Sequence, residues 1–222
     1  MRSASKRRGI VAAAVAAVVG SPATGDIVLR YDQAFATAAA PTHFHARIAY
    51  RGRDGVHRME LWRNGAIRLR RDTDARLVTI ARRQSPRSPE FRLDLLDRRR
   101  LLHTIIDRNS LYQVGHFADW EDLALAMRRP AGRYRLTALA LPPTSTARPA
   151  APCRWFGLQE EGRRTQICWS REQAFPMLML DGNGQEIWRV ATFDQHKPAA
   201  SLFRPDDKGY IVNNAARDIT GD

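Results

Sequence analysis

CRWFGLQEEGRRTQICWS, residues 153–170, opens the stretch that decides the fold of this chain. Its two apolar runs flank a polar segment, and this pattern predicts two antiparallel strands joined by a turn. Cys153 and Cys168, the only cysteines, lie at equal distances from the midpoint at Glu160/Glu161. We therefore expect a hairpin that places the two thiols directly opposite each other, where a disulfide forms readily in an oxidising compartment. Two buried free thiols are the alternative.

A second hairpin follows at once in the sequence. FPMLML (175–180) and QEIWRVATFDQ (185–195) are strand-like, and Asp-Gly-Asn-Gly (181–184) between them is rich in residues that tolerate positive φ. The two hairpins together predict at least four consecutive antiparallel strands in this part of the chain.

The N-terminus reads as an export signal. Four basic residues precede the apolar run 10–20, and the small residues Ser21 and Ala23 follow it with Pro22 between them. This pattern predicts a cleaved signal peptide at 1–23, a single domain at 24–222 and a periplasmic location. An uncleaved anchor is the alternative, although the apolar run of 11 residues is short of the ~20 that span a bilayer.

Alternation with a period of two begins at His43 and predicts a half-buried strand. The apolar face of this strand would carry Phe44, Ala46, Ile48 and Tyr50. The dipeptides Asp54-Gly55 and Asn64-Gly65 are hairpin signals that continue it into a meander. Further strand-like segments continue to the tail, where YIVN (210–213) is the last.

Helical periodicity is confined to a few segments, chiefly 26–40 and 120–127. The second of these carries acidic residues in its first turn, where the helix dipole favours negative charge. The predicted fold class is therefore α+β (mainly β): a curved antiparallel sheet that forms an unclosed half-barrel covered by a few helices.

The chain is strongly basic, with a formal net charge of +13, and lysine occurs only at positions 6, 197 and 208. An arginine-rich, solvated surface is one interpretation of this composition. The alternative is attraction to acidic partners such as an anionic lipid surface, an anionic glycan or other envelope proteins. Export argues against nucleic acid as a partner.

Residues that carry chemistry are sparse, so we predict that the chain is not an enzyme and has no cofactor. His43-Phe44-His45 places two imidazoles on one strand face, but the sequence offers no third metal ligand. The serines lack a nucleophile motif. Asp94 and Asp97, on different faces of one predicted strand, are interpreted as part of a solvated sheet face.

The strands carry many large apolar residues, and these are the candidates for a ligand cavity on a concave sheet face. A packed core without a cavity is the alternative for each of them. The predicted cavity residues are Phe44, Ile48, Tyr50, Trp62, Leu93, Leu95, Trp155 and Ile187.

The order of these features resembles the superfamily of the periplasmic outer-membrane lipoprotein carrier and its receptor. The distinctive residues are Cys153, Cys168 and the segment Leu202-Phe203-x-Pro205 to Gly209-Tyr210. The resemblance implies an unclosed β-barrel of about eleven strands, covered by helices, with a hydrophobic cavity for acyl chains.

Together these observations predict a periplasmic carrier or binding protein that holds a lipid or acylated ligand in a hydrophobic cavity, without catalysis. The alternative is a non-catalytic envelope interaction module that binds a protein or an anionic glycan through an arginine-rich face. These two hypotheses differ in their expected response to salt, because only charge-driven binding weakens steeply with ionic strength.

Overall fold

The computed structural model contains one twelve-stranded sheet with a few short helices. It describes residues 28–113, 119–125, 127–140 and 148–215, so the predicted signal peptide lies outside the described residues. The strands are β1 His43–Arg51, β2 Val56–Asn64, β3 Arg68–Thr73, β4 Leu77–Arg83, β5 Phe91–Asp97, β6 Leu102–Asp107, β7 Tyr134–Ala138, β8 Arg154–Glu160, β9 Arg163–Ser170, β10 Phe175–Leu180, β11 Glu186–Asp194 and β12 Ile211–Asn214.

The strand order is β12-β6-β5-β4-β3-β2-β1-β11-β10-β9-β8-β7, so β12 and β7 are the two edges and the sheet is not closed. This confirms the predicted mainly β class with an unclosed sheet. β1 to β6 form one antiparallel meander and β7 to β11 a second, and the two join where β1 pairs with β11. β12 pairs with β6 in parallel, because the chain crosses the sheet before it returns to this edge.

The sheet has two unlike faces. The helix face carries Phe44, Ala46 and Ile48, which are buried as the alternation predicts. We call the opposite side the tail face, because the C-terminal segment 195–210 lies across it. The 3-10 helix Ala200–Phe203 of that segment inserts Phe203 among apolar side chains of β4 and β5.

The helices are shorter than the periodicity indicates: α1 is Tyr31–Ala34, α2 is Arg108–Gln113 and α3 is Trp120–Leu125. The predicted helix over 26–40 is therefore wrong in extent, whereas α3 begins where the acidic first turn placed it. Around α1, aromatic packing on the helix face outweighs the local helical periodicity of the sequence. Phe35, at the end of α1, has its ring centroid 5.2 Å from those of both Phe156 and Trp169.

The Cys153–Cys168 disulfide is present, with the Cα atoms 5.3 Å apart, but the predicted register is wrong, because the residue opposite Cys168 is Trp155 and not Cys153. Cys168 lies opposite Trp155, so Cys153 reaches it diagonally from just outside β8. The cause is the turn: Glu161 and Gly162 both have positive φ and form a two-residue loop closed by Glu160 and Arg163. A symmetrical pairing of the cysteines would need a different loop.

Among the described residues, no helix combines the length and the apolar character needed to cross a bilayer.

Candidate functional site

An apolar cleft of about 420 Å³ lies on the helix face, at the end of the second meander. Its floor comes from three neighbouring strands, because Leu158 belongs to β8, Ile167 to β9 and Met179 to β10. Ile187 closes one side, at the irregularity where β10 meets β11. Met127, in the segment that follows α3, covers the floor. We name these five side chains the apolar cleft.

The covering segment 127–131 is held by polar contacts with α1 and α3. The Tyr31 hydroxyl donates to the Arg128 carbonyl at 3.4 Å. The Arg129 guanidinium lies 2.9 Å from the Asp32 carboxylate, and the Arg129 backbone N–H donates to Asp122 at 3.3 Å. The position of this cover therefore depends on side chains and not on a strand ladder. Such a wall is easier to displace than the floor.

Burial and nearby carboxylates set the electrostatics around the cover. Burial, together with the Asp122 carboxylate, raises the pKa of Tyr31 above its ordinary range, so this hydroxyl stays neutral and donates its proton. Burial also raises the pKa of Asp122. At the mouth of the cleft, Arg163 forms an exposed ion pair with Glu161. The lining of the cleft is therefore mixed, because Arg128, Glu160 and Thr165 join these two charged residues and the apolar side chains.

Arginines also occupy the helix face of the first meander, although one interpretation of the sequence placed the arginines on a solvated surface. Burial lowers the pKa of Arg71 to about 10, and it lowers the pKa of Arg63 and of Arg83 as well. The Arg83 guanidinium lies 4.5 Å from the centre of the Trp120 ring, a cation–π contact that fixes the start of α3.

Asp94 was interpreted as a solvated residue, and this is wrong. Its side chain is fully buried on the tail face, where it accepts hydrogen bonds from Arg82, Arg92 and His103. The other nitrogen of His103 lies 2.8 Å from Asp207 of the C-terminal segment. The alternation of β5 places Asp94 on the same face as buried Leu96, and the arginines that neutralise it come from β4 and β5.

The pKa of Asp94 is the outcome of two opposed effects. Burial alone would raise it, but the positive charge of Arg82 and the hydrogen bonds from Arg92, Arg82 and His103 together hold it below its ordinary value. The carboxylate is therefore ionised at neutral pH. His103 faces two carboxylates, and both of its ring nitrogens donate when the ring is protonated.

His43 and His45 share the tail face, but the two rings have different surroundings. His45 stacks on Trp62, with ring centroids 4.8 Å apart and planes within 4°, and contacts the carboxylates of Glu60 and Asp194 at 3.0 and 3.3 Å. Over the described parts of the chain, no three metal-ligating side chains are grouped so as to hold an ion.

The structure divides the eight predicted cavity residues between the two faces. Trp62 and Trp155 lie on the tail face, where Trp155 is opposite Cys168. Ile187 lines the apolar cleft. The remaining five share the helix face of the first meander, namely Phe44, Ile48, Tyr50, Leu93 and Leu95. Their role as a ligand cavity stays a prediction.

Four residues of the apolar cleft were missing from the predicted set: Met127, Leu158, Ile167 and Met179. The last three are apolar residues of predicted strands, so the sequence contained a usable signal. The choice among them required the register, in which Ile167 lies opposite Met179 on the helix face. Met127 was the end of the predicted helix, and nothing in its local sequence indicates that it faces these strands.

No protein-family model and no curated protein matches the sequence. Among solved structures, the chain is similar to PNGF-II, crystallised in space group P21, with 7% identity and a TM-score of 0.43 over 81% of this chain. It is also similar to MucB, with 16% identity and a TM-score of 0.38 over 78% of this chain. The chain spans only 32% of the PNGF-II chain and 60% of the MucB chain.

Proposed function

We propose that this chain is an exported, non-catalytic binding protein of the periplasm that holds a lipid or another acylated molecule, with an acyl chain in the apolar cleft. The observation that carries the proposal is the convergence of five apolar side chains, from four strands and a separate covering segment, around about 420 Å³ of space. Small-molecule sites occupy roughly 300–1,000 Å³, are mostly apolar and have few polar groups.

Two further features support the proposal. The covering segment is attached by the side chains of Tyr31 and Arg129, so it can move aside without breaking the sheet. The disulfide is of the kind that persists in oxidising compartments, which supports export. The disulfide also links the segment that leads into β8 with β9, and both strands contribute to the floor of the cleft.

The proposal is tested with purified protein, by mass spectrometry of extracted lipids and by titration with a fluorescent fatty acid. Ile187→Gln should weaken fatty-acid binding by about tenfold, because burial of one aliphatic side chain contributes about 1.5–3 kcal/mol and tenfold in affinity is about 1.4 kcal/mol. Ile106→Gln is the matched control, since Ile106 is a half-buried strand isoleucine that does not line the cleft.

Absence of bound lipid together with absence of fatty-acid uptake would refute the proposal. Equal weakening by Ile187→Gln and Ile106→Gln would place the ligand elsewhere. A steep loss of affinity with added salt would instead favour the arginine-rich interaction module.

A further inference from the structure

A long trough runs over the tail face, on the opposite side of the sheet from the apolar cleft. It consists of two cavities, of about 750 and 540 Å³, and both include Trp62 in their walls. The larger cavity lies over the first three strands and part of β11, with Ala49 and Ala191 among its lining residues. The smaller cavity is bounded by the C-terminal segment 195–210. We call the two cavities together the tail-face trough.

Trp62 lines both cavities and is held in a fixed position. His45 stacks on one face of its ring, and the Arg70 guanidinium lies 5.9 Å from the ring centre. Arg70 is itself fixed, because it donates to Asp72 at 2.8 and 2.9 Å and to the Leu202 carbonyl at 2.8 Å. The middle of the trough is therefore a preorganised surface and not a flexible loop.

The charged groups along the trough nearly balance, with six cations and five carboxylates. In the larger cavity three arginines face three carboxylates, and Arg98 lies 3.4 Å from Asp72. The smaller cavity has three cations, Arg70, Lys197 and Arg204, and two carboxylates, Asp194 and Asp206. A polyanion gains little from such a surface, because Arg47, Arg70 and Arg98 already form ion pairs and the carboxylates of the walls repel an anion. A ligand that both donates and accepts hydrogen bonds can use the cations and the carboxylates alike.

The strands beneath the trough have no free edge to which a bound peptide could add. β11, β1, β2 and β3 are interior strands, each with a hydrogen-bonded neighbour on both sides. A peptide here has no free strand edge on which to add as another strand, and strand addition needs one. Recognition has to come from side chains, and hydroxyl groups fit alternating guanidinium and carboxylate groups well.

From this combination we infer that the tail-face trough binds an uncharged, linear oligosaccharide. Its hydroxyls pair with the guanidinium and carboxylate groups of the walls, and the apolar faces of its rings pack against Ala49 and Ala191, beside Trp62. The site is independent of the apolar cleft, so it adds a second ligand class to the proposed lipid-binding function.

The test is isothermal titration calorimetry of the purified protein with two hexasaccharides, the hexamer of N-acetylglucosamine and cellohexaose. We expect saturable binding of at least one of them, with a Kd below about 1 mM. We also expect this Kd to change less than about twofold between low salt and roughly 0.5 M salt, because no net charge is neutralised.

Arg47→Ala and Lys197→Ala each remove one exposed cation, from the larger and the smaller cavity respectively. Each should weaken hexasaccharide binding by about tenfold, the effect of one lost charge-assisted hydrogen bond. Arg171→Ala is the matched control, since Arg171 is an exposed arginine in the turn between β9 and β10, outside the trough.

Three results would overturn the inference: no saturable binding of either hexasaccharide, equal binding by all three variants, or binding of heparin alone that collapses with salt. Selective binding of an extended peptide would overturn it too, in favour of a protein partner. Fatty-acid titration of the same samples keeps the two proposals apart, because loss of the trough leaves the apolar cleft intact.

Discussion

The two meanders of the sheet are stabilised in different ways. In the second meander β10 is buried along its whole length, with six apolar residues, and a disulfide connects the adjacent hairpin. In the first meander β5 is equally interior, but it buries a carboxylate, and Asp94 together with His103 and Asp207 ties the C-terminal segment to the tail face. One half therefore depends on apolar burial and a covalent bond, and the other on compensated charge.

Because of this difference, different changes should destabilise the two halves of the sheet. Apolar burial and a disulfide respond weakly to pH, whereas a buried ion network fails when one of its members loses its charge or its partner. Substitutions and pH changes that affect one half alone therefore test this difference.

Asp94→Ala should have the largest effect. The substitution removes the buried acceptor of hydrogen bonds from Arg82, Arg92 and His103, and a hydrogen bond to a charged group contributes about 1.5–3 kcal/mol. Urea denaturation at pH 7 measures the free energy of unfolding. Asp32→Ala is the control, because the Asp32–Arg129 pair is exposed, and such pairs contribute about 1 kcal/mol or less. Equal losses in the two variants would contradict the comparison.

Removal of the disulfide should come next. The bond closes a separation of 15 residues, which corresponds to about 3 kcal/mol in the free energy of unfolding. The Cys153→Ala/Cys168→Ala double variant and the wild-type protein under reducing conditions should agree in their urea midpoints. A loss in the double variant that reduction does not reproduce would indicate a packing defect at Cys168, which is fully buried.

Acid should act on the first meander through the same carboxylate. The pKa of Asp94 lies below its ordinary value of 3.8 in the folded protein, so its contribution is complete above about pH 4 and is lost as the pH falls through the folded pKa. Asp94→Asn should therefore show a shallower loss of stability between about pH 4 and pH 2 than the wild type. Parallel curves for the two proteins would show that Asp94 is not the group that titrates.

The smallest effect concerns His57, at the hairpin between β1 and β2. Hydrogen bonds with Asp74 and Asp54, at 2.7 and 2.8 Å, raise its pKa above the ordinary 6.5. Any stability that it contributes is complete below pH 6.5 and is lost as the pH rises through the folded pKa. An NMR titration of the His57 ring should show the raised pKa, and Asp74→Asn should lower it. An ordinary pKa in the wild type would exclude these contacts in solution.

The strands were the most predictable part of this molecule, because the sequence signals that indicate them are local. The alternation of Phe44, Ala46 and Ile48 and the turn residues Gly55 and Gly65 act within a few positions of each other. The register of the cysteine hairpin was available too, since Glu161-Gly162 is a two-residue loop whose glycine tolerates positive φ. The equal spacing of the two cysteines from Glu160/Glu161 was a weaker guide to the register than this loop.

The candidate sites were less predictable because their members are distant in sequence. His103 reaches Asp94 through the pairing of β6 with β5, and Asp207 reaches His103 only when the C-terminal segment crosses the tail face. Met127 meets Met179 only when α3 has been placed over the second meander. A sequence shows that Asp94 lies in a strand, but Arg82 and His103, which compensate its burial, meet it only through the pairing of β5 with β4 and β6.

The pairing of β1 with β11 has a consequence for the order of assembly. It places His45 beside Asp194, so the two meanders meet only after nearly the whole chain is available. Contacts between such distant residues slow folding, because the intervening loop must be closed first. Each meander can begin to form from neighbouring hairpins, but the continuous sheet is a late event. A chain that crosses a membrane N-terminus first would thus complete this sheet only at the end of its translocation.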